Sequence, residues 1–307
     1  MDYKLEPIQL DLKVTWKISR NASTHKENFI LSRDDYASEI APNIRYDETP
    51  ALIKSHFKEL AKATEMKYHW CSSFQSAINN ILLKQEFHGD LFKALKLPRI
   101  DNVETSFSIP IMEIEDVQNY LKTNDQFHIY KLKVSDSKSL ELLKEVVKHT
   151  DKPIRIDANE GFKSLDDYLK FEKEITKMNI QFIEQPFPVS MIDEYYKLKP
   201  ISKFEIIADE SVLLDFSGEK FLKMFHGINV KIMKARGLEN AKRLLVKAKQ
   251  FGLKTMVGCM IESSLGISEG LVLASLCDYV DLDGSLLVKN DPYENLIVVK
   301  DGKLSLA

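Results

Sequence analysis

Several features that mark other classes of protein are missing from this 307-residue sequence. Its 43 Lys and Arg residues are balanced by 46 Asp and Glu residues, and no basic cluster is present, which argues against nucleic-acid binding. No run of about eighteen apolar residues occurs, so we expect no membrane span. No signal peptide is visible at the charged N-terminus. The cysteines are odd in number and widely spaced, so they suggest neither disulfides nor a metal site: Cys71, Cys259 and Cys277. We therefore expect a cytoplasmic protein.

The first hundred residues read differently from those that follow. Strand-like segments at residues 8–14 and 29–31 are followed by helical patterns near residues 50–66 and 73–86. Apolar residues make up 44% of the chain, which is enough for a sizeable hydrophobic core. We therefore expect residues 1–100 to form an α+β capping domain.

A repeating pattern occupies residues 101–285. Short runs rich in Ile, Val and Phe alternate with amphipathic segments, as is typical of α/β proteins with a parallel sheet. The candidate strands end every 22 to 27 residues, near Ser108, Lys133, Asp157, Glu184, Asp209, Lys231, Val257 and Asp281. Eight strands at this spacing predict a (β/α)8 barrel of the modified TIM type. Residues 286–307 read as a hairpin that we expect to return to the cap.

Charged side chains stand at most of these strand ends. Because barrel enzymes carry their active sites at the C-terminal ends of the strands, these residues form a candidate site: Lys131, Lys133, Asp157, Glu184, Asp209, Lys231, Asp281 and Asp283. Carboxylates without nearby His or Cys ligands favour Mg²⁺ over zinc. Such an ion would stabilise the enediolate formed when a proton leaves the carbon beside a substrate carboxylate.

A base for that proton must be neutral. The like charges of a dication and of Lys131 would lower the pKa of Lys133, so we expect Lys133 to serve as this base. Each residue taken alone also has an ordinary interpretation: an acid after a strand is often a helix N-cap, and Lys131 and Lys133 would form a solvated strand face. The ordered set favours a catalytic site.

Six motifs, in this order, resemble those of the enolase superfamily. They are YKLKV at 130–134, RIDAN at 155–159, FIEQP at 182–186, ADES at 208–211, INVK at 228–231 and MVGCMIES at 256–263. Within the superfamily the chain is similar to the muconate-cycloisomerase-like subgroup, and most of all to the dipeptide epimerases. In the cap, APNIRYDETP at 41–50 resembles the family's segment before the first cap helix. The superfamily is known for a Lys or His base used with Mg²⁺.

The resemblance implies a role for each matching residue. Asp157, Glu184 and Asp209 would hold Mg²⁺. Lys133 and Lys231 would stand on opposite faces of the substrate as acid and base, with Lys131 near the metal-bound carboxylate. Further residues would contact a dipeptide, with the acid pair on the last strand holding its α-ammonium: Asp281, Asp283, Ser108, Cys259, Ile261, Glu262 and Ser263. Arg20 would reach an acidic substrate side chain.

The implied function is that of an isomerase, a dipeptide epimerase that moves a proton at the carbon beside the C-terminal carboxylate. Two alternatives stay open: an o-succinylbenzoate synthase or muconate-type cycloisomerase on the same scaffold, and a non-catalytic metal-binding barrel. In the superfamily, the subgroup with a histidine base places that histidine at the end of the seventh barrel strand. Residues 256–258 at this end read Met-Val-Gly, so the resemblance argues against a histidine base. The chain departs from the family pattern in two places: the cap lacks the usual glycine-rich segment, and residues 234–237 lack the usual Gly-Gly. The identity of the substrate dipeptide is therefore left open. A homo-oligomer is also possible from the sequence.

Overall fold

The computed structural model describes residues 3–18, 21–62, 67–134 and 136–307. Arg20 therefore lies outside the described residues, and its predicted role stays a prediction. In the part of the chain that is described, no helix is both long and apolar enough to cross a membrane.

An antiparallel sheet and a group of helices form the N-terminal cap. The sheet has the order β1-β2-β3, with β1 at Tyr3–Ile18, β2 at Asn21–Arg33 and β3 at Tyr36–Ile40. The cap helices within the described residues are α1 (Pro50–Leu60), α2 (Ser72–Glu86) and α3 (Leu91–Leu95). Buried side chains of β2, β3, α1 and α2 pack with Trp70 in one cluster that includes Phe29, Ile40, Ile53 and Phe74, whereas those of α3 pack with the barrel core. The α+β cap is confirmed.

The cap elements differ from the sequence patterns at their ends. The first two strands are longer than predicted for different reasons. In β1 the alternation of apolar residues seen at 8–14 continues in the sequence to residue 18, whereas residues 21–28 of β2 are mostly polar and are strand because they pair with β1. Helix α1 begins at Pro50, where Thr49 accepts a hydrogen bond from the backbone N–H of Leu52, and it ends at Leu60, its last buried residue. The predicted extension of this helix to residue 66 is wrong for residues 61 and 62, which form a turn.

Eight parallel strands form the barrel, in the order of their sequence. They are β5 (Phe107–Ile109), β6 (Tyr130–Lys133), β7 (Ile154–Asp157), β8 (Ile180–Glu184), β9 (Glu205–Ala208), β10 (Gly227–Lys231), β11 (Lys254–Gly258) and β12 (Tyr279–Asp281). The first and last strands meet where the backbone N–H of Ser106 donates to the carbonyl of Val280 at 3.2 Å. Every predicted strand end lies within one residue of the observed end. The predicted (β/α)8 barrel is confirmed.

Helices cover the outside of the barrel. Those in the described residues are α4 (Val117–Thr123), α5 (Ser137–His149), α6 (Leu165–Ile175), α7 (Ile192–Leu198), α8 (Gly218–Met224), α9 (Ile232–Ala235), α10 (Leu238–Gln250) and α11 (Ser264–Leu271). Helix α10 is an example of an amphipathic helix packed on the barrel. Its buried residues recur at helical spacing: Leu238, Ala241, Leu244, Leu245 and Ala248. Side chains alternate along a strand, so every second strand residue packs outward against these helices. The residues between them point into the barrel interior.

The C-terminal segment contacts both parts of the protein. The backbone N–H of Lys289 donates to the carbonyl of Asp11 in β1 at 2.8 Å, which ties the segment to the cap. The following hairpin, β13 (Ile297–Lys300) and β14 (Lys303–Leu306), pairs with the short strand β4 (Val103–Glu104) beside the barrel. The expected boundaries, a cap of 1–100 with 286–307 and a barrel of 101–285, stay a prediction.

Candidate active site

A cavity of about 720 Å³ lies between the cap and the C-terminal ends of the barrel strands. Cap residues 25–28, 41–46 and 48–50 line one side of it. The barrel side brings together ten of the residues expected from the sequence: Ser108, Lys131, Lys133, Asp157, Asp209, Lys231, Cys259, Ile261, Asp281 and Asp283. Residues from the first and last barrel strands therefore meet in one space.

Lys131 lies at the centre of the carboxylates. Its Nζ is 2.6 Å from Asp281 Oδ2, 2.7 Å from Glu184 Oε2 and 3.5 Å from Asp157 Oδ2, and its side chain is buried. Burial lowers the pKa of Lys131, but these three carboxylates raise it by more, so its pKa is well above the usual value. Lys131 is therefore a fixed positive charge at the floor of the cavity.

Lys133 and Lys231 stand on opposite sides of the ring. Lys133, at the end of β6, donates to Asp157 Oδ2 at 2.9 Å and to Asn159 Oδ1 at 2.5 Å. Lys231, at the end of β10, donates to Asp209 Oδ2 at 2.9 Å. The two strands are four places apart in a ring of eight, so the two amines reach the cavity from opposite walls.

The acids on the intervening strands are almost completely buried. In the strand register Asp157 lies opposite Glu184, and Asp209 follows β9, the next strand. Burial raises the pKa of Glu184, and the negative charges of Asp157 and Asp209 raise it further against the opposing Lys131 ammonium, to about 7. Burial also raises the pKa of Asp209, but the ammonium groups of Lys231 and Lys234 lower it by more, to well below the usual range.

This set of carboxylates fits a hard dication. The buried Oε2 of Glu184 lies 2.7 Å from the Lys131 ammonium, and within the described residues it makes this ion pair without a hydrogen bond of good geometry. Its remaining lone pairs are free for a second cation, and oxygen ligands of this kind suit Mg²⁺. Asp157, Glu184 and Asp209 come from neighbouring strands, and no His or Cys is needed to complete the donor set.

The acid pair at the end of the last strand has two different environments. Asp281 accepts hydrogen bonds from the Ser106 hydroxyl at 2.5 Å and from Lys131 at 2.6 Å. Asp283 accepts through Oδ2 from the backbone N–H of Ser108 at 2.7 Å. Burial, with the charge of Asp281 next, raises the pKa of Asp283 to about 6. A cation placed beside Asp283 would therefore relieve an unfavourable negative charge.

Glu262 and Ser263 belong to the wall behind the cavity. The Oε1 of Glu262 accepts from the backbone N–H of Met260 at 2.7 Å, and burial raises its pKa to about 8. Both the backbone N–H and the hydroxyl of Ser263 bind Glu39 of the cap. Their predicted contacts with a substrate stay predictions, whereas their contacts within the protein are structural.

Sequence reasoning missed several polar residues of this site. Lys234 donates to Asp209 Oδ1 at 2.5 Å, while Asn159 contacts Lys133 and Glu210. All three stand in or beside motifs that the sequence already singled out. Arg45 binds Glu160 through two hydrogen bonds across the gap between cap and barrel, and only its place in the segment 41–50 could have pointed to it.

Comparison with known proteins agrees with this architecture. A family model described as enolase C-terminal domain-like matches residues 114–306. The L-Ala-D/L-amino acid epimerase of Pedosphaera parvula is 33% identical over 337 aligned positions that cover 100% of this chain and 96% of that protein. The chain belongs to the enolase superfamily. The resemblance read from the six motifs is confirmed.

Other members of the superfamily are also similar. The L-Ala-D/L-amino acid epimerase of Flavobacterium johnsoniae is 36% identical over 204 residues, 66% of this chain and 60% of the length of that relative. A solved L-Ala-D/L-Glu epimerase from Bacillus subtilis, with bound substrate, superposes with a TM-score of 0.88 at 23% identity, covering 100% of this chain and 96% of that one. A dipeptide epimerase from Methylococcus capsulatus, complexed with Mg and L-Arg-D-Lys, gives a TM-score of 0.87 at 22% identity with the same coverage. These two structures establish the shared fold.

Proposed function

We propose that this superfamily member is a Mg²⁺-dependent dipeptide epimerase, which inverts the carbon next to the C-terminal carboxylate by 1,1-proton transfer. One observation above all supports this. Lys133 and Lys231 reach a single cavity from opposite walls, and Asp157, Glu184 and Asp209 lie on or just after the three strands between them. A binding protein would need neither amine, whereas a reaction that changes the face of a proton needs both.

The three buried carboxylates would hold the ion. When bound, Mg²⁺ would neutralise the substrate carboxylate and offset the acidic charges that surround Lys231. Burial lowers the pKa of Lys231, but Asp209 and Glu184 raise it by more, to well above its usual value. A lysine that accepts a proton must be neutral, so Lys231 can act as a base only where those two charges are balanced.

The lysines divide the proton transfer between them. The neutral amine on one face removes the α-proton, and the substrate becomes a planar enediolate. The ammonium on the other face then donates a proton to the same carbon, which inverts it. Each lysine is base for one epimer and acid for the other, so the reaction runs in both directions. The contacts with Asp157, Asn159 and Asp209 hold the two Nζ atoms in place.

The far end of the substrate would lie at Asp281 and Asp283. A free α-ammonium beside Asp283 would stabilise its negative charge and so lower its raised pKa. An o-succinylbenzoate-type substrate has no such cation, and its negative charge would meet two buried carboxylates. The acid pair therefore favours a dipeptide with a free N-terminus over that alternative. The three free cysteines agree with a cytoplasmic location, which we also propose.

A screen of dipeptides in D₂O tests this function. The wild-type protein with Mg²⁺ is incubated with Ala-Glu, an aliphatic dipeptide and a basic dipeptide, and ¹H NMR follows the α-proton and the two epimers. We expect exchange and epimerisation of at least one free dipeptide, and loss of both after treatment with EDTA. No exchange in any dipeptide with Mg²⁺ present would refute the proposal.

The N-acetylated form of the best substrate is the matched control for ammonium binding. Each charged hydrogen bond lost should lower kcat/KM by roughly tenfold to a hundredfold. Equal rates for the free and acetylated dipeptides would show that Asp281 and Asp283 do not bind the α-ammonium, and would favour the o-succinylbenzoate alternative.

A further inference from the structure

The turn after the third barrel strand has an unusual backbone. Asn159 and Glu160 follow β7 after Ala158, and both have positive φ angles, 43° and 62°. Two successive residues other than glycine in the left-handed region are uncommon, and such a conformation persists only where the surrounding structure holds it. Strain of this kind at the mouth of a barrel indicates that the position of a side chain matters there.

The cap holds this turn in place. Arg45 donates to both carboxylate oxygens of Glu160, from Nε at 3.1 Å and from a terminal guanidinium nitrogen at 3.0 Å. The backbone N–H of Val189 donates to Glu160 Oε1 at 3.0 Å, and the side chain of Glu160 is only 2% exposed. A bidentate pair between a guanidinium and a buried carboxylate has a well-defined geometry. The conformation of Glu160, and with it that of Asn159, is therefore fixed from outside the turn.

The side chain of Asn159 connects two groups at the cavity. Its Oδ1 accepts from Lys133 Nζ at 2.5 Å, and its Nδ2 donates to Glu210 Oε1 at 3.4 Å. Its backbone N–H donates to Asp157 Oδ1 at 3.1 Å. A reversed amide would place NH₂ against the lysine and oxygen against the carboxyl group, so its neighbours fix which end faces Lys133.

We propose that Asn159 is a positioning residue for Lys133, an inference that rests on the proposed epimerase function. Asp157, the charged partner of Lys133, is a proposed metal ligand, so its carboxylate oxygens would also bind Mg²⁺. The amide oxygen of Asn159 is neutral and is not a proposed metal ligand, so it can fix the position of Nζ whether or not an ion is bound. The described contacts of Lys231 include no such amide, since its hydrogen-bond acceptor is Asp209. Removing Asn159 should therefore affect one face of the reaction.

The test compares exchange on the two faces. Asn159→Gly removes the side chain and tolerates a positive φ, so the turn is not strained further. The Lys133→Ala variant first shows which epimer of the dipeptide depends on Lys133 for exchange in D₂O. We expect Asn159→Gly, with Mg²⁺ bound, to exchange that epimer at least about tenfold more slowly and the other epimer within about twofold of wild type. The Mg²⁺ dissociation constant, measured by calorimetry, should also stay within about twofold.

A control separates this role from general damage. Asn179→Gly makes the same change at an exposed residue that precedes β8, at the opposite end of the barrel, and should leave both exchange rates unchanged. Equal slowing of both epimers by Asn159→Gly, slowing of the Lys231-dependent epimer alone, or wild-type exchange of both epimers would overturn the inference. If the wild-type protein exchanged no dipeptide, the proposed function itself would fail, and this role with it.

Discussion

Burial has different consequences for the carboxyl groups around the cavity. Burial raises the pKa of Glu210 and of Glu262, in each case to about 8, and the nearest acids add to the shift. Burial also raises the pKa of Asp157, but the ammonium groups of Lys133 and Lys131 lower it by more, to about 2. The two lysines beside Asp157 therefore keep it ionised at neutral pH, whereas the contact of Glu184 with Lys131 does not outweigh burial and the neighbouring acids.

Glu262 provides a pH-dependent stability that can be measured. Its pKa is raised in the folded protein to about 8 from 4.5, so the folded state keeps a proton that the unfolded state loses over this range. Stability should consequently fall as the pH rises from about 4.5 to 8 and should level off above that. Glu262→Gln cannot ionise, and its Oε1 can still accept from Met260. We expect the variant to gain stability over wild type between pH 5.5 and pH 8.5, by about 1 kcal/mol or more.

Urea unfolding at the two pH values measures this gain. Glu219→Gln, an exposed acid at the start of α8, is the matched control and should show no pH-dependent difference from wild type. A difference between Glu262→Gln and wild type that is the same at both pH values would contradict a protonated Glu262 in the folded protein.

At the scale of elements, strand β3 is joined to the barrel by one buried acid. Glu39 accepts from the backbone N–H and the hydroxyl of Ser263 and from the backbone N–H of Gly266, at the start of α11. Asn28 of β2 donates both to Glu39 at 2.7 Å and to the carbonyl of Ile261 at 2.9 Å. The cap therefore fixes the loop that carries Cys259 and Ile261 into the cavity.

Glu39→Ala should destabilise the protein. The change leaves several buried donors without an acceptor, and each such donor costs about 1–3 kcal/mol, so we expect a loss of about 2–4 kcal/mol in the free energy of unfolding. Urea unfolding at one pH measures it. Glu27→Ala in β2 removes an acid that is 44% exposed in its pair with Lys54, and should cost at most about 0.5 kcal/mol. A similarly small loss in Glu39→Ala would show that this junction contributes little.

The strands and helices of the barrel were predictable because their signals are local. The strand ends at Lys133, Glu184 and Lys231 follow from apolar runs at a regular spacing, and the burial pattern of α10 follows from its sequence alone. The full length of β2 was not predictable, because its residues 21–28 are mostly polar without an alternating pattern and form a strand through pairing with β1.

At the scale of the whole molecule, local sequence patterns were again enough to predict the site residues, whereas contacts between distant parts of the chain were missed. The clustering of the carboxylates and lysines could be predicted because each stands at the end of a strand in a repeating unit, so all lie at one end of the barrel. The Arg45–Glu160 and Glu39–Ser263 contacts join cap to barrel over more than a hundred residues of chain, and no local pattern reports them. The substrate contacts that the resemblance implies for Glu262 and Ser263 stay predictions.

The central proposal is that Lys133 and Lys231 act as two bases on opposite faces of one substrate. Its most direct test is exchange of the α-proton in D₂O, followed separately for each epimer, in Lys133→Ala and Lys231→Ala. Loss of either lysine should lower epimerisation at least about a hundredfold, because general acid–base catalysis contributes about that much. Each variant should still exchange one epimer without inverting it, and the two variants should differ in which epimer they exchange. Exchange of the same epimer by both variants, or normal epimerisation by Lys231→Ala, would contradict the two-base mechanism.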